Sequence, residues 1–179
     1  MLALALQATN YDIVADDKTL VMPCSKAEDK SNMAISDFLD VSNLQLVLDK
    51  DFETLYISLD AAFKVQLPKA PIQMQVDVLR WERGQWVPTV IALKRDDVCK
   101  SLADPFEIWH PYIVTHIPKA QRVCPPKQGH VYRLRNITNR MELKSFPRWD
   151  IEGDLKAVLH FTVGHMKACA LVFVTVAIV

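Results

Sequence analysis

Glycine is scarce in this sequence, which has only four glycines among its 179 residues. They are Gly84, Gly129, Gly153 and Gly164, and no two of them lie close together along the chain. Loops that cradle phosphate groups need several neighbouring glycines, because the backbone must approach the phosphate without a Cβ. The sequence therefore excludes a glycine-rich nucleotide-binding loop.

An excess of basic residues is also lacking. Lys plus Arg and Asp plus Glu number 21 each, and the basic residues are scattered among acidic ones. Proteins that bind nucleic acid through its phosphates carry a basic surplus or a basic stripe. We therefore expect no nucleic-acid partner.

Motifs of catalytic and metal sites are absent as well. The sequence contains no G-x-S-x-G, no H-E-x-x-H and no C-x-x-C, and its five histidines do not fall at metal-ligand spacings. His165 lies four residues before Cys169, but Gly164 places this histidine in a predicted turn, so we do not interpret the two as a catalytic pair. We expect no catalytic residue, no metal site and no cofactor, and a chain that is not an enzyme.

The two ends of the chain are apolar but short. The uncharged run over 170–179 is well below the ~20 residues that a membrane-spanning helix needs, so it predicts a buried terminal strand and not a transmembrane protein. Residues 1–8 lack the basic residue and the length of a complete secretory signal. Two interpretations stay open, the remnant of a signal peptide and an apolar first strand. Residues 9–179 are expected to form a single domain.

Alternating apolar residues predict many strands. Leu44, Leu46 and Leu48 lie on one side of a turn, and Leu55 and Ile57 follow on the other, which is typical of a hairpin. The same alternation predicts strands over 72–81 and 86–93 around Gly84, and over 155–163 and 168–179 around Gly164. Short strands at this spacing indicate a sandwich or a barrel.

One segment looks helical. Apolar residues between 96 and 117 follow a helical spacing, and Asp96 or Asp97 would cap the first turn. Pro105 and Pro111 would interrupt the helix, so we expect one or two short helices joined by a bend. The predicted fold class is therefore mostly β, a two-sheet β-sandwich with a short helical insertion around 96–117.

The four cysteines are Cys24, Cys99, Cys124 and Cys169, and they permit three full pairings. They are either reduced and buried, as in cytosolic proteins, or bonded in two disulfides. We favour disulfides, because Cys99 and Cys124 flank the helical insertion. Our hypothesis is a Cys99–Cys124 bond and a Cys24–Cys169 bond, the latter joining the two ends of the chain.

The triplet Asn136-Ile137-Thr138 is a glycosylation acceptor if the chain enters the secretory pathway. It agrees with the disulfide interpretation, because both modifications belong to that pathway.

Several aromatic residues and histidines have two interpretations. Trp81 and Trp86 face each other across the Gly84 turn and, like Trp109, either pack in the core or line an apolar cavity between two sheets. His110 and His116 flank a proline bend, where each is either a surface residue or a ligand contact.

Four segments resemble a known family. They are Trp86-Val87-Pro88-Thr89-Val90, Asp97-Val98-Cys99, Cys124-Pro125-Pro126 and the run from Gly129 to Asn136. Together they are similar to the arthropod family of small secreted proteins related to the ML lipid-recognition domain, whose members include chemosensory proteins similar to the ganglioside-activator protein. The similarity spans roughly Ile72 to Val179.

The resemblance implies an immunoglobulin-like two-sheet sandwich with an apolar pocket between its sheets. It also implies secretion, no catalysis, and paired cysteines at Cys99 and Cys124, and at Cys24 and Cys169.

The expected function is that of a secreted, extracellular binding protein for a lipid or other small hydrophobic ligand, in a chemosensory or lipid-transfer role and with a membrane receptor as a further partner. The candidate cavity wall consists of nine residues: Val76, Val78, Trp81, Trp86, Val90, Phe106, Trp109, Leu159 and Phe161. The competing hypothesis is an extracellular protein–protein interaction module with a filled core, which would use its edge strands or the insertion.

Overall fold

The structure, a computed structural model, describes residues 8–16, 21–26, 28–149 and 151–179. The predicted signal-peptide remnant therefore lies outside the described residues, except for Ala8, which begins the first strand. The described strands are β1 (Ala8–Ala15), β2 (Met22–Pro23), β3 (Leu39–Leu48), β4 (Leu55–Phe63), β5 (Gln73–Glu82), β6 (Gln85–Arg95), β7 (Val131–Thr138), β8 (Arg140–Pro147), β9 (Gly153–Val163) and β10 (Met166–Ile178). The helices are α1 (Ile35–Phe38) and α2 (Val98–Ala103), with 3-10 turns at Val114–His116 and Lys119–Gln121.

The strands form two antiparallel sheets. The larger sheet has the order β6-β5-β9-β10-β1-β8, with β2 added beside β10, and the smaller sheet has the order β3-β4-β7. Side chains from both sheets meet in a buried cluster, in which Leu39 and Phe63 of the smaller sheet pack with Val163 and Ala168 of the larger sheet. The predicted mostly-β sandwich is confirmed, with sheets of seven and three strands.

The predicted hairpins are confirmed in register. Leu48 lies opposite Leu55 in the β3–β4 hairpin, and Trp81 lies opposite Trp86 in the β5–β6 hairpin, with their ring centroids 5.1 Å apart. The two turn residues between the tryptophans, Arg83 and Gly84, both have positive φ angles, of 47° and 84°. Two-residue hairpin turns of this kind match the twist of the strands, and glycine adopts that conformation without strain.

Tyr11 anchors β1, the strand next to the β8 edge of the larger sheet. Its side chain is fully buried and packs with Ile151, Leu155 and Val176. Its hydroxyl accepts a hydrogen bond from the Trp149 backbone N–H at 2.7 Å. The buried ring thus keeps its polar end satisfied, and it ties the segment after β8 to β1.

Both hypothesised disulfides are present. Cys24 is bonded to Cys169 with a Cα–Cα distance of 5.6 Å, and Cys99 is bonded to Cys124 with a Cα–Cα distance of 5.3 Å. The first bond joins the segment after β2 to β10, where Cys169 packs with Val158 in a buried cluster.

The insertion is less helical than the sequence suggests. Helix α2 has six residues, and Asp97 caps it by accepting hydrogen bonds from the Cys99 and Lys100 N–H groups. The chain beyond α2 turns repeatedly, because Pro105 and Pro111 carry no N–H to continue a helix. The Arg95 guanidinium on β6 holds this part in place through two hydrogen bonds to the Glu107 carboxylate, of 2.7 and 2.9 Å.

A buried ion pair attaches the N-terminal part of the chain to β9. The Lys156 ammonium is almost fully buried, donates a hydrogen bond to Glu28 and lies 5.0 Å from the centroid of the Trp86 ring. Burial acts to raise the pKa of Glu28, but hydrogen bonds from Lys156 and Ser25 outweigh it, and the pKa is lowered from its ordinary value of 4.5. The charged form of Glu28 is therefore favoured in the folded protein.

The variant Glu28→Gln is expected to lower the free energy of unfolding at neutral pH by about 2 kcal/mol, because the buried ammonium loses a charged acceptor. A carboxyl whose folded pKa is depressed stabilises the protein above its unfolded pKa and loses this effect as the pH falls. The difference between wild type and variant should therefore shrink below about pH 4.5. Urea denaturation at several pH values measures it, with the exposed Glu152→Gln as control; a difference that does not change with pH would contradict the assignment.

Candidate ligand cavity

An open cavity of about 620 Å³ lies between the two sheets and the insertion. The smaller sheet contributes Leu39, Phe63, Tyr132 and Leu134, and the larger sheet contributes Phe161, Val163, Met166 and Ala168. The insertion covers this space with Val98, Cys99, Leu102, Ile113, Val114, Ile117 and Cys124. We call this space the insertion cavity.

Strand alternation explains the floor of the insertion cavity. Phe161 and Val163 are two residues apart on β9, and Met166 and Ala168 are two residues apart on β10. Ala168 pairs with Phe161, and Met166 pairs with Val163. Residues two apart on a strand share a face, so all four side chains lie on the side that faces the smaller sheet.

The Cys99–Cys124 disulfide closes the cover. Both cysteines line the cavity, one at the start of α2 and the other at the end of the insertion. Val114, in the 3-10 turn between them, is buried. The Arg95–Glu107 pair also holds the insertion over the cavity, as do hydrogen bonds such as the one from the Tyr112 hydroxyl to the Glu142 carbonyl on β8.

Polar side chains are few in the cavity wall. Besides the disulfide sulfurs, the described lining residues with polar side-chain atoms are His110, Arg122 and Tyr132. The Tyr132 hydroxyl donates a hydrogen bond to the Val123 carbonyl, and burial raises the pKa of Tyr132 to about 12. The tyrosine therefore stays neutral, and the wall can accept an apolar molecule with one polar end.

A second open space, of about 610 Å³, has a different chemistry. Its described lining residues do not overlap with those of the insertion cavity, and they include the carboxylates of Asp16, Glu53 and Asp154. Its apolar part is formed by residues such as Trp86 and Phe173, whose rings lie 5.6 Å apart. We call it the acidic cavity.

The predicted cavity wall needs correction. Of the nine predicted residues, Phe161 lines the insertion cavity and Trp86 lines the acidic cavity. The prediction is wrong for Val90 and Phe106, whose side chains are 93% and 94% exposed. Val90 lies on β6, an edge strand of the larger sheet, and Phe106 lies in a turn of the insertion. Neither side chain is covered by the other sheet.

The other predicted wall residues have different surroundings. Trp81 is half-exposed beside Trp86, Val78 packs against the Tyr11 cluster, and the Arg95 guanidinium lies over the Trp109 ring at 5.3 Å. Val76 and Leu159 pair with each other on β5 and β9, and neither is among the described residues that line a cavity.

Most of the residues that line the insertion cavity are not among the predicted ones. Leu102, Ile113 and Ile117 lie in the insertion, outside any strand, and they line the cavity. The signal that could have found them is a run of apolar residues between two cysteines in a segment without strand alternation. A clamped loop of that kind must bury its apolar side chains against something.

The glycosylation acceptor is accessible. Asn136 is exposed and has a positive φ of 54°, at a point where the β4–β7 register shifts by one residue. Its backbone N–H donates a hydrogen bond to the Ser58 hydroxyl.

An edge of the smaller sheet carries exposed apolar side chains. Within the described chain, β3 pairs with β4 on one side and with no strand on the other. We call its exposed apolar residues the β3 strip; they are Val41, Leu44, Leu46, Val47 and Leu48. Such strands are sites at which another chain can add to a sheet.

Neither a metal site nor a membrane-spanning helix is found in the described ranges. No group of three or more His, Cys, Asp and Glu side chains is arranged to hold a metal ion in the part of the chain that the structure describes. None of the described helices is long and apolar enough to cross a membrane. The sulfur of Cys169, four residues after His165, is not a free thiol, because Cys169 is bonded to Cys24.

No protein-family model matches the chain, and no curated protein matches it.

Proposed function

We propose that this chain is a secreted binding protein that holds the apolar part of a lipid or other small hydrophobic molecule in the insertion cavity. The observation that carries the proposal is the cavity itself, of about 620 Å³, with apolar walls from both sheets and a disulfide-bonded cover. Binding sites for small molecules span ~300–1,000 Å³ and combine apolar walls with few polar groups. The resemblance to the ML-related family agrees with this function and suggests a lipid-transfer or chemosensory role.

Apolar burial would supply the affinity. Each buried CH₂ group contributes ~0.8 kcal/mol, which is about a fourfold change in the dissociation constant. The affinity for a series of alkyl ligands should therefore rise about fourfold per methylene, until the chain fills the cavity.

Native mass spectrometry of unreduced protein secreted from insect cells, followed by organic extraction, tests the proposal. We expect a complex whose extra mass matches an extracted lipid, and no such mass in a variant with a filled cavity. Protein that carries no ligand and shows no affinity for alkyl chains of any length would contradict the proposal.

Secretion makes a separate prediction about Asn136. If the chain passes through the secretory pathway, its mass should exceed the sequence mass by one glycan, because the acceptor side chain is exposed. Enzymatic removal of N-linked glycans should abolish the excess, and Asn136→Gln should never show it. Secreted protein without a glycan would contradict this assignment; the exposed Asn10→Gln, outside any acceptor triplet, is the control.

A second function is favoured by the β3 strip. Its five exposed apolar residues lie on an edge strand, so the chain could bind an extracellular protein, such as a membrane receptor, by strand addition. In that case Val47→Lys should abolish partner binding and leave ligand binding in the insertion cavity unchanged. The two functions are compatible, because none of the residues of the β3 strip lines the insertion cavity.

A further inference from the structure

We propose that the ligand of the insertion cavity is an amphiphile with an anionic head group, a carboxylate or a phosphate, which Arg122 binds at the cavity mouth. This inference rests on the proposed function and adds the chemistry of the ligand's polar end. It follows from the charge and the hydrogen bonds of the lining residues.

Arg122 is a cation without a counter-charge. It lines the cavity, its side chain is exposed, and no carboxylate among the described residues lies within ion-pair distance of it. Arg95, in contrast, pairs with Glu107, and Arg140 pairs with Asp12. The positive charge of Arg122 is therefore available to an anion that enters from solvent.

The protein orients the Arg122 guanidinium. Its Nε donates to the Ile117 carbonyl at 2.8 Å, and its Nη2 donates to the Thr115 carbonyl at 3.3 Å. These bonds fix the plane of the group and leave Nη1 without an acceptor in the described part of the chain. Carboxylates and phosphates accept such charge-assisted hydrogen bonds from a preorganised guanidinium.

The rest of the wall discriminates against a cation. No Asp or Glu is among the described residues that line the insertion cavity, and the remaining titratable side chains are His110 and Tyr132. The acidic cavity has the opposite character, with three carboxylates and no Lys or Arg among its described lining residues. An anionic amphiphile should therefore choose the insertion cavity.

The polar and the apolar parts of the cavity wall lie on different elements. Arg122 and His110 both belong to the insertion, whereas the floor formed by Phe161, Val163 and Ala168 is apolar. A charged head group placed on that floor would lose its hydration without a partner, at a large free-energy cost. The alkyl chain therefore lies on the floor, and the head group stays at the mouth.

Displacement of the neutral fluorescent probe N-phenyl-1-naphthylamine tests the inference. The competitors are decanoate, decyl phosphate, decanol and decyltrimethylammonium, which share one chain length and differ in head group, all below their micelle concentrations. Inorganic phosphate is added as a separate competitor. The proteins are wild type, Arg122→Gln and Arg122→Lys, with Arg133→Gln as the control, because Arg133 lies on the opposite face of β7 from Tyr132.

We expect Arg122→Gln to raise the dissociation constants of decanoate and decyl phosphate about tenfold or more and that of decanol less than twofold. Arg122→Lys should recover part of the loss, and Arg133→Gln should change nothing. If Arg122 only stabilised the cavity wall, Arg122→Gln would raise the dissociation constant of decanol to the same extent. This result would overturn the inference.

Two other outcomes have separate meanings. If the probe and every alkyl competitor fail to bind to wild type, the proposed function itself fails. If inorganic phosphate competes with decanoate as well as decyl phosphate does, the site binds a free anion, and the amphiphile inference is overturned.

Discussion

Removal of the Cys24–Cys169 disulfide is expected to lower the free energy of unfolding by about 4–5 kcal/mol. The bond joins residues 145 positions apart, and in the chain-entropy model a closed loop of this size restricts the unfolded chain by ~5 kcal/mol. Cys169 is also 3% exposed and packs with Val158 and Leu171, so its loss weakens a buried cluster.

The double variant Cys24→Ala/Cys169→Ala measures this effect by urea denaturation. Alanine is chosen because a serine hydroxyl at position 169 would be buried without a partner. The matched control is Cys99→Ala/Cys124→Ala, which opens a loop of only 25 residues and should cost less, ~3.5 kcal/mol. Equal losses of unfolding free energy in the two double variants would contradict this assignment, and so would a loss below about 1 kcal/mol for Cys24→Ala/Cys169→Ala.

The Cys99→Ala/Cys124→Ala variant also tests the cover of the insertion cavity. Because Cys99 and Cys124 line the insertion cavity, opening this bond should weaken ligand binding while the protein stays folded. The two disulfides thus have separable effects, one chiefly on the stability of the fold and one on the cover of the cavity.

Filling the insertion cavity is expected to weaken ligand binding strongly. Ala168 lies on β10 with its side chain on the cavity floor, and the variant Ala168→Phe places a ring in the empty space. We expect the dissociation constant of an alkyl ligand to rise about a hundredfold or more, since several methylenes at ~0.8 kcal/mol each lose their site.

The stability of Ala168→Phe distinguishes a cavity from a packed core. A large side chain in a well-packed core costs ~1–3 kcal/mol, whereas one that enters an empty apolar space need not destabilise the protein. The control is Ala177→Phe, at an exposed position of the same strand, which should change neither stability nor binding. If Ala168→Phe does not fold, Leu134→Trp tests the same space from the opposite wall.

Ligand displacement measures the affinity of the Ala168→Phe variant, and thermal unfolding measures its stability. Wild-type affinity in a folded Ala168→Phe variant would show that the ligand binds elsewhere, and the insertion cavity would no longer carry the function.

The local features of the fold could be predicted from the sequence. The alternation in Leu44–Leu48 and Leu55–Leu59 and the turn at Gly84 depend on neighbouring residues, and the predicted hairpins are confirmed. The disulfide pairing could also be predicted from the sequence, because Cys99 and Cys124 flank one insertion.

The cavity could not be predicted in the same way. Val90 and Val163 have similar strand patterns, but Val90 lies on the edge strand β6 and Val163 lies under the smaller sheet. Which strand lies at an edge is decided by long-range pairing, such as that of β1 with both β10 and β8. The alternation of a single strand carries no information about its neighbours, so the sequence identified Phe161 and missed Leu134.

Nuclear Overhauser effects can locate the bound alkyl chain and so test whether the insertion cavity is its binding site. The protein carries ¹³C-labelled methyl groups on Ile, Leu and Val, and the ligand is unlabelled decanoate. If the insertion cavity binds the chain, we expect contacts from the methylenes to the methyl groups of Ile113, Leu134 and Val163, and none to Val90. Contacts to Val41 and Leu46 on the β3 strip, without contacts to the cavity residues, would contradict it.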